Sequence, residues 1–213
     1  SLLDYPRGDS ALGITYPAHP SSALIRLPLC DMAPRRVVLR TAGEQPVPSA
    51  TLPGRNGREL LFVDRFRPGD RKDYLLGAAL SAGTAAPVPV TVGNNLLRNE
   101  YLEIRLDSGN HVTGLLINGQ QYTLDRLLRS SVTYAGRRCE VEAWSIDESF
   151  SLSVVGVKRM TGIAVLKASN TARFELELLL AAGLPHLYVT MRVLYPRTPD
   201  KRYDLGKAKR LQQ

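Results

Sequence analysis

Apolar and polar residues alternate along most of this chain with a period of two, the spacing of a strand that buries one face. The clearest case is the stretch 101–117. Leu102, Ile104 and Leu106 fall on one side, and Tyr101, Glu103, Arg105 and Asp107 on the other. Ser108-Gly109-Asn110 has turn chemistry and residues 112–117 supply a return strand, so the stretch predicts a β-hairpin. Upstream, strand signals begin at Ile14 and recur at residues 22–28, 36–40, 59–63 and 72–76. Gly54-Arg55-Asn56-Gly57 and Pro68-Gly69-Asp70 mark turns. Prolines at Pro28, Pro46 and Pro48 favour edge strands and loops in this part. Downstream, residues 150–157, 161–168, 172–180 and 187–196 predict a meander of long strands with one solvated face, turning at Gly183-Leu184-Pro185-His186. Residues 122–134 stand apart. Leu124, Leu127 and Leu128 have helical spacing, which predicts a short helix or an irregular crossing.

Strands at roughly ten-residue intervals predict an all-β chain of sandwich type. The small-residue, proline-marked segment 77–92 predicts a connector. It divides a small β-sandwich with a lead-in loop (residues 1–90) from a larger antiparallel β-sandwich (residues 91–213).

With 213 residues and 44% hydrophobic content, the chain is long and apolar enough for a real core. No apolar run reaches membrane-spanning length, so no membrane partner is expected. The N-terminal residues show no basic segment followed by an apolar one, which favours a cytoplasmic setting. The net charge of +8 raises the question of nucleic acid, and its distribution answers against it. Half of it lies in residues 197–213, where Arg197, Lys201, Arg202, Lys207, Lys209 and Arg210 face Asp200 and Asp204. No aromatic-interleaved basic motif accompanies the dispersed remainder. Cys30 and Cys139 are expected as free thiols, with one long-range disulfide left open.

Candidate chemistry is sparse. His19, His111 and His186 are isolated and predict surface or turn positions rather than metal ligands. Asp147-Glu148 and Glu175/Glu177 are paired carboxylates; the latter two alternate along a strand and predict its solvated face. Arg7-Gly8-Asp9-Ser10 matches an integrin-binding tripeptide, and coincidence is the better account. Trp144 is the single tryptophan, and indole faces stack on sugar rings. With Glu142 and Asp147 it forms a candidate carbohydrate-contact cluster, against the alternative that Trp144 anchors the core.

Asn99-Glu100-Tyr101-Leu102 and the hairpin after it resemble the strand pair that opens the large β-sandwich of family 38 glycoside hydrolases, the α-mannosidase type. Leu27-Pro28, Gly43-Glu44-Gln45-Pro46-Val47-Pro48, and Phe62-Val63 leading to Pro68-Gly69 and Tyr74 are similar to the small sandwich that precedes it. Gly183, Pro185, Leu187, Val189, Val193 and Tyr195 fit a later strand pair. Tyr16-Pro17 and Gln120-Gln121-Tyr122 depart from the pattern. The resemblance implies a supersandwich of galactose-mutarotase-like type for the second unit. It also implies that the chain is the non-catalytic β-region of a zinc-dependent glycosidase. Nucleophile, proton donor and zinc would then lie in a missing N-terminal α/β catalytic domain, with no catalytic residue, metal ligand or cofactor in residues 1–213 and carbohydrate as a partner through the parent enzyme. The alternative is a stand-alone carbohydrate-binding or structural β-sandwich. A domain cut from an enzyme is expected to expose an apolar patch where its partner docked.

Overall fold

The computed structural model describes residues 10–15, 21–30, 37–54, 57–78, 90–127, 130–134, 136–167 and 170–194. The Arg7-Gly8-Asp9 tripeptide, His19, most of the expected connector and the basic segment 197–213 lie outside them.

The first seven strands are β1 (Ser10–Thr15), β2 (Ser21–Leu29), β3 (Val37–Thr41), β4 (Pro46–Val47), β5 (Ser49–Gly54), β6 (Gly57–Phe66) and β7 (Arg71–Ala78). They form two sheets, ordered β1-β7-β3-β4 and β2-β6-β5. Next come β8 (Thr91–Gly93), β9 (Leu96–Arg98), β10 (Leu102–Leu106), β11 (Val112–Ile117) and β12 (Gln120–Leu127), an antiparallel five-stranded sheet in consecutive order. The hairpin β13 (Ser131–Tyr134) and β14 (Arg137–Glu140) leads to β15 (Trp144–Ser151), β16 (Val155–Lys167), β17 (Asn170–Ala181) and β18 (Leu187–Leu194). These last four make a meander. Every pairing is antiparallel and the described residues contain no helix, so the chain is an all-β sandwich protein.

Side-chain alternation stacks the sheets. Leu60 and Phe62 of β6 point to Leu39, Tyr74 and Leu76 of the first sheet, with the Phe62 and Tyr74 rings edge-on at 5.1 Å. Leu61, between them, points the other way and packs with Leu52, Val155, Val157, Leu179 and Ala181. On its opposite face the meander sheet sends Met160, Phe174, Leu176 and Leu178 toward Leu97, Ile104 and Val112 of the five-stranded sheet. The result is four layers of sheet. The inner two are apolar on both faces, which is why Leu60-Leu61-Phe62 and Leu178-Leu179-Leu180 read as continuous apolar runs.

The hairpin forms as its pattern predicts, with Leu102 opposite Ile117 and Ile104 opposite Leu115. Pro28 and Pro53 sit on β2 and β5, the two edges of the three-stranded sheet, where a missing backbone donor does least harm. Three expectations change. The described residues of 122–134 hold no helix; residues 122–127 lie in β12 and residues 131–134 in β13, and β12 pairs along β11 from Ile117 to Val112. Residues 150–157 are not one strand, because the chain reverses at 152–154, where the Leu152 N–H donates to the Val155 carbonyl. From there β16 runs unbroken through residues 158–160. Lys158 hides this continuity in the sequence. It occupies a core-side position at 1% exposure, with its stem buried and its Nζ donating to the Asn94 carbonyl at 2.8 Å. Burial without an acidic neighbour holds its pKa below the ordinary lysine value.

Two glycines within β16 allow close approach. A Cβ on Gly156 would stand 2.5 Å from Val90 Cγ1, and one on Gly162 would stand 2.9 Å from the Trp144 ring and collide with Val141.

Candidate functional site

The face of β17 that carries Glu175, Glu177, Leu179 and Ala181 changes character along its length. Leu179 and Ala181 are sealed under the three-stranded sheet. Two residues earlier that cover ends, and the sheets part to leave a groove of about 830 Å3. Its walls are Arg26 and Glu59 on one side and Glu148, Arg159, Thr161 and Glu177 on the other.

Strand register builds the site. Arg159 lies opposite Glu177 and Thr161 opposite Glu175 across β16 and β17. Arg26 comes from β2, facing Leu61 and neighbouring Glu59. Arg26 donates from Nη2 to Glu59 Oε2 at 2.6 Å and from Nη1 to Glu177 Oε1 at 2.8 Å. Arg159 donates from Nε to Glu177 Oε2 at 2.8 Å and from Nη1 to Glu148 Oε2 at 2.9 Å. The run Glu59–Arg26–Glu177–Arg159–Glu148 thus ties the two inner sheets, with Glu177 shared by two guanidinium groups. Burial pushes the Glu177 carboxyl up, but hydrogen bonds from Arg159 and Arg26 outweigh it and hold its pKa below the usual carboxylate range. Arg26 and Arg159 are likewise desolvated, and their carboxylate partners raise them nonetheless.

Asp147 reaches the same groove through an irregularity. The pairing of β15 with β16 shifts between Ile146 and Glu148, so Asp147 has no cross-strand partner of its own. Its carboxylate accepts a hydrogen bond from the Thr161 hydroxyl, and Arg173 Nη2 donates to Thr161 Oγ1 at 3.4 Å. Five arginines and five carboxylates line the groove, so its formal charge is balanced. Such a surface can offer paired donors and acceptors to a neutral polyhydroxylated ligand, and it has no excess charge to attract an anion.

Of the three residues singled out for sugar contact, Asp147 lines this groove and Glu142 is exposed in the connection before β15. Trp144 goes elsewhere. It is 3% exposed, edge-on to Phe174 at 6.4 Å and packed beside Gly162, so its indole faces the core. Its backbone N–H donates to the Gly109 carbonyl and its carbonyl accepts from Asn110 Nδ2, which ties the β10–β11 turn to β15. The three therefore form no shared exposed platform. Glu175 and Glu177, expected on a solvated face, instead line the groove, with Glu177 half-buried. Glu148, which with Asp147 reads in the sequence as a carboxylate pair, is a groove residue too, and Arg26, Glu59 and Arg159 are groove residues that the sequence pattern did not single out. One signal was available: charge beside a run apolar on both faces marks where a covering sheet ends.

The Asn99-Glu100 pair is structural. Asn99 is 3% exposed, and its Nδ2 donates to the Ala181 and Leu184 carbonyls at 2.7 and 2.8 Å. Its Oδ1 accepts from the Tyr101 and Leu102 N–H groups at 3.0 and 2.7 Å. Glu100 Oε1 accepts from the Gly183 N–H at 2.6 Å. The pair thus clamps the start of the hairpin to the β17–β18 turn. His111 is a buried turn histidine rather than a surface one, with Nδ1 3.4 Å from Asp107 Oδ1 and Nε2 3.3 Å from the Val141 carbonyl. His186 is exposed, beside Tyr188. Cys30 and Cys139 are free thiols. Among the described residues, no three His, Cys, Asp or Glu side chains gather into a metal site.

No protein-family model matches the chain, and no curated protein sequence does. Solved structures do. A glycosyl hydrolase family 38 protein from Enterococcus faecalis superposes with a TM-score of 0.52 at 10% identity, over 90% of this chain and 33% of its own. The chain has the fold of a part of that family 38 structure. An alpha-mannosidase from Enterococcus faecalis V583 matches with a TM-score of 0.49 at 10% identity, over 91% of this chain and 32% of its own. The chain thus spans about a third of the solved structures it matches.

Proposed function

We propose that the chain is the β-region of an α-mannosidase-like glycoside hydrolase, with its second unit a portion of a supersandwich. It performs no bond cleavage itself. It supports an active site carried, together with its zinc, by a separate α/β domain, and its groove between the inner sheets contacts carbohydrate through Asp147 and its neighbours. The observation that carries this reading is the extent of the fold match, nearly all of this chain against one third of a family 38 glycosyl hydrolase. The balanced, carboxylate- and arginine-lined groove supports the sugar contact. Burial of the sole tryptophan weighs against a stand-alone lectin with an indole platform.

The test is an assay of the 213-residue chain with p-nitrophenyl α-mannoside, paired with an NMR titration using a mannose disaccharide. The expected result is no hydrolysis, with shifts confined to the groove and lost in Asp147→Asn. Turnover by the chain alone would overturn the non-catalytic assignment. Shifts absent from the groove would overturn the sugar contact.

A further inference from the structure

Strand register lays the floor of the groove in rows across the meander, because directly opposed residues share a face. Glu148, Arg159, Glu177 and Thr190 form one row, each opposite the next from β15 to β18. Its charges are engaged by one another and by Arg26. Thr161, Glu175 and Arg192 form the next row, on β16, β17 and β18. Asp147 extends it from β15 through the hydrogen bond with Thr161. All four line the groove. The two ends of this second row keep hydrogen-bonding capacity. Asp147 uses one carboxylate oxygen for Thr161, and among the described residues nothing donates to the other. Arg192 is exposed and, among the described residues, makes no ion pair or hydrogen bond. Neighbouring strands lie about 4.8 Å apart, so the row from β15 to β18 is roughly 14 Å long. Across the groove, Pro28 of β2 stands in register with Glu59 and presents an exposed apolar ring.

We infer that the groove takes a chain of at least two linked pyranose units laid across the strands, with hydroxyls of one unit on Asp147 and hydroxyls of another on Arg192. A pyranose carries hydroxyls around its edge and C–H groups on its faces, which suits a polar floor with a proline ring on the opposite wall. A single ring is too short to touch both ends of the row, and two linked rings reach them. Asp147 accepts from sugar hydroxyls and Arg192 donates to sugar oxygens, so a neutral ligand satisfies both without a charge of its own. Arg192 is then the residue that sets the length of sugar preferred. The inference rests on the sugar contact proposed above and adds its length and its direction.

The experiment is an NMR titration of the 213-residue chain with methyl α-mannoside and, separately, with the mannose disaccharide. Both should shift groove resonances, and the disaccharide should bind about tenfold more tightly, the gain from one added hydrogen bond to a charged group. Arg192→Ala should bring disaccharide affinity down to within about twofold of that for methyl α-mannoside, by loss of that same bond. Its melting temperature should match that of the unsubstituted chain, because Arg192 holds nothing else among the described residues. Groove shifts with equal affinity for the two sugars would overturn the two-unit ligand and leave the sugar contact standing. A disaccharide preference that survives Arg192→Ala would remove Arg192 from the site. Groove resonances unmoved by either sugar would instead overturn the sugar contact beneath the inference.

Discussion

The three-stranded sheet and the meander sheet meet in two ways within a few residues. At one end Leu52 and Leu61 pack on Val155, Val157, Leu179 and Ala181, all buried. At the other, Arg26 and Glu59 reach across to Glu177 and Arg159, and the sheets part into a groove. Both ends belong to the same strands, β6, β16 and β17. Where the layers touch, alternate apolar residues remove water. Where they diverge, the same alternate positions must hold charge, and the charges are stable there because Glu59, Glu148 and Glu177 each find a guanidinium. The dry end supplies cohesion, and the wet end is an opening bounded by fixed polar groups.

The comparison breaks most visibly at the dry end. Leu61→Ala should cost about 2–5 kcal/mol, as for other fully buried leucines, measured by urea unfolding. A loss below 1 kcal/mol would mean that the two sheets are not held by that contact. Next is the clamp that aligns the hairpin with the end of β17. Asn99→Ala strands two buried carbonyls and two N–H groups, for an expected loss of about 2–4 kcal/mol. Asn99→Asp should do no better, because a carboxylate has no donor for the Ala181 and Leu184 carbonyls.

At the wet end the effects shrink. Glu177→Gln should cost about 1–2 kcal/mol, since both guanidinium groups keep another carboxylate and the site is partly solvated. The loss should narrow in high salt. A salt-independent loss equal to that of Leu61→Ala would erase the distinction between the two ends.

The smallest expected effect is on pH dependence. Glu177 has a folded pKa below its unfolded value, so its contribution is complete above about pH 4.3 and fades as pH falls through the lower folded value. Acid unfolding curves of Glu177→Gln should therefore be shallower below pH 4.5 than those of the unsubstituted chain. Asp64 and Asp107 are lowered too, by hydrogen bonds that outweigh their burial, so some acid sensitivity should persist in the variant. An identical acid slope in both proteins would remove Glu177 from the account.

Much of the fold was legible along the chain. The Leu102–Ile104–Leu106 alternation and the Ser108-Gly109-Asn110 turn identify the hairpin, because a period of two and a turn tripeptide are local properties. The order of strands and the all-β class follow from the same signals. Less was legible wherever a residue's surroundings come from distant strands. Lys158 interrupts the apolar pattern of β16 and obscures its length, because a lysine stem packs as an apolar group once a remote carbonyl takes its ammonium. Trp144 has the composition of a sugar contact, but Phe174 and Gly162 enclose it in the core. Glu177 reads as a solvated strand residue, and only the arrival of Arg26 from residues far upstream makes it the hinge of the groove.

By itself, then, the sequence determined the strands, the turns and which residues alternate, because these depend on steric and hydrophobic preferences over a few neighbours. The tertiary structure alone decided which polar faces meet water and which meet each other. That depends on where one sheet stops covering the next, a distance set by strand lengths and register across more than a hundred residues of chain.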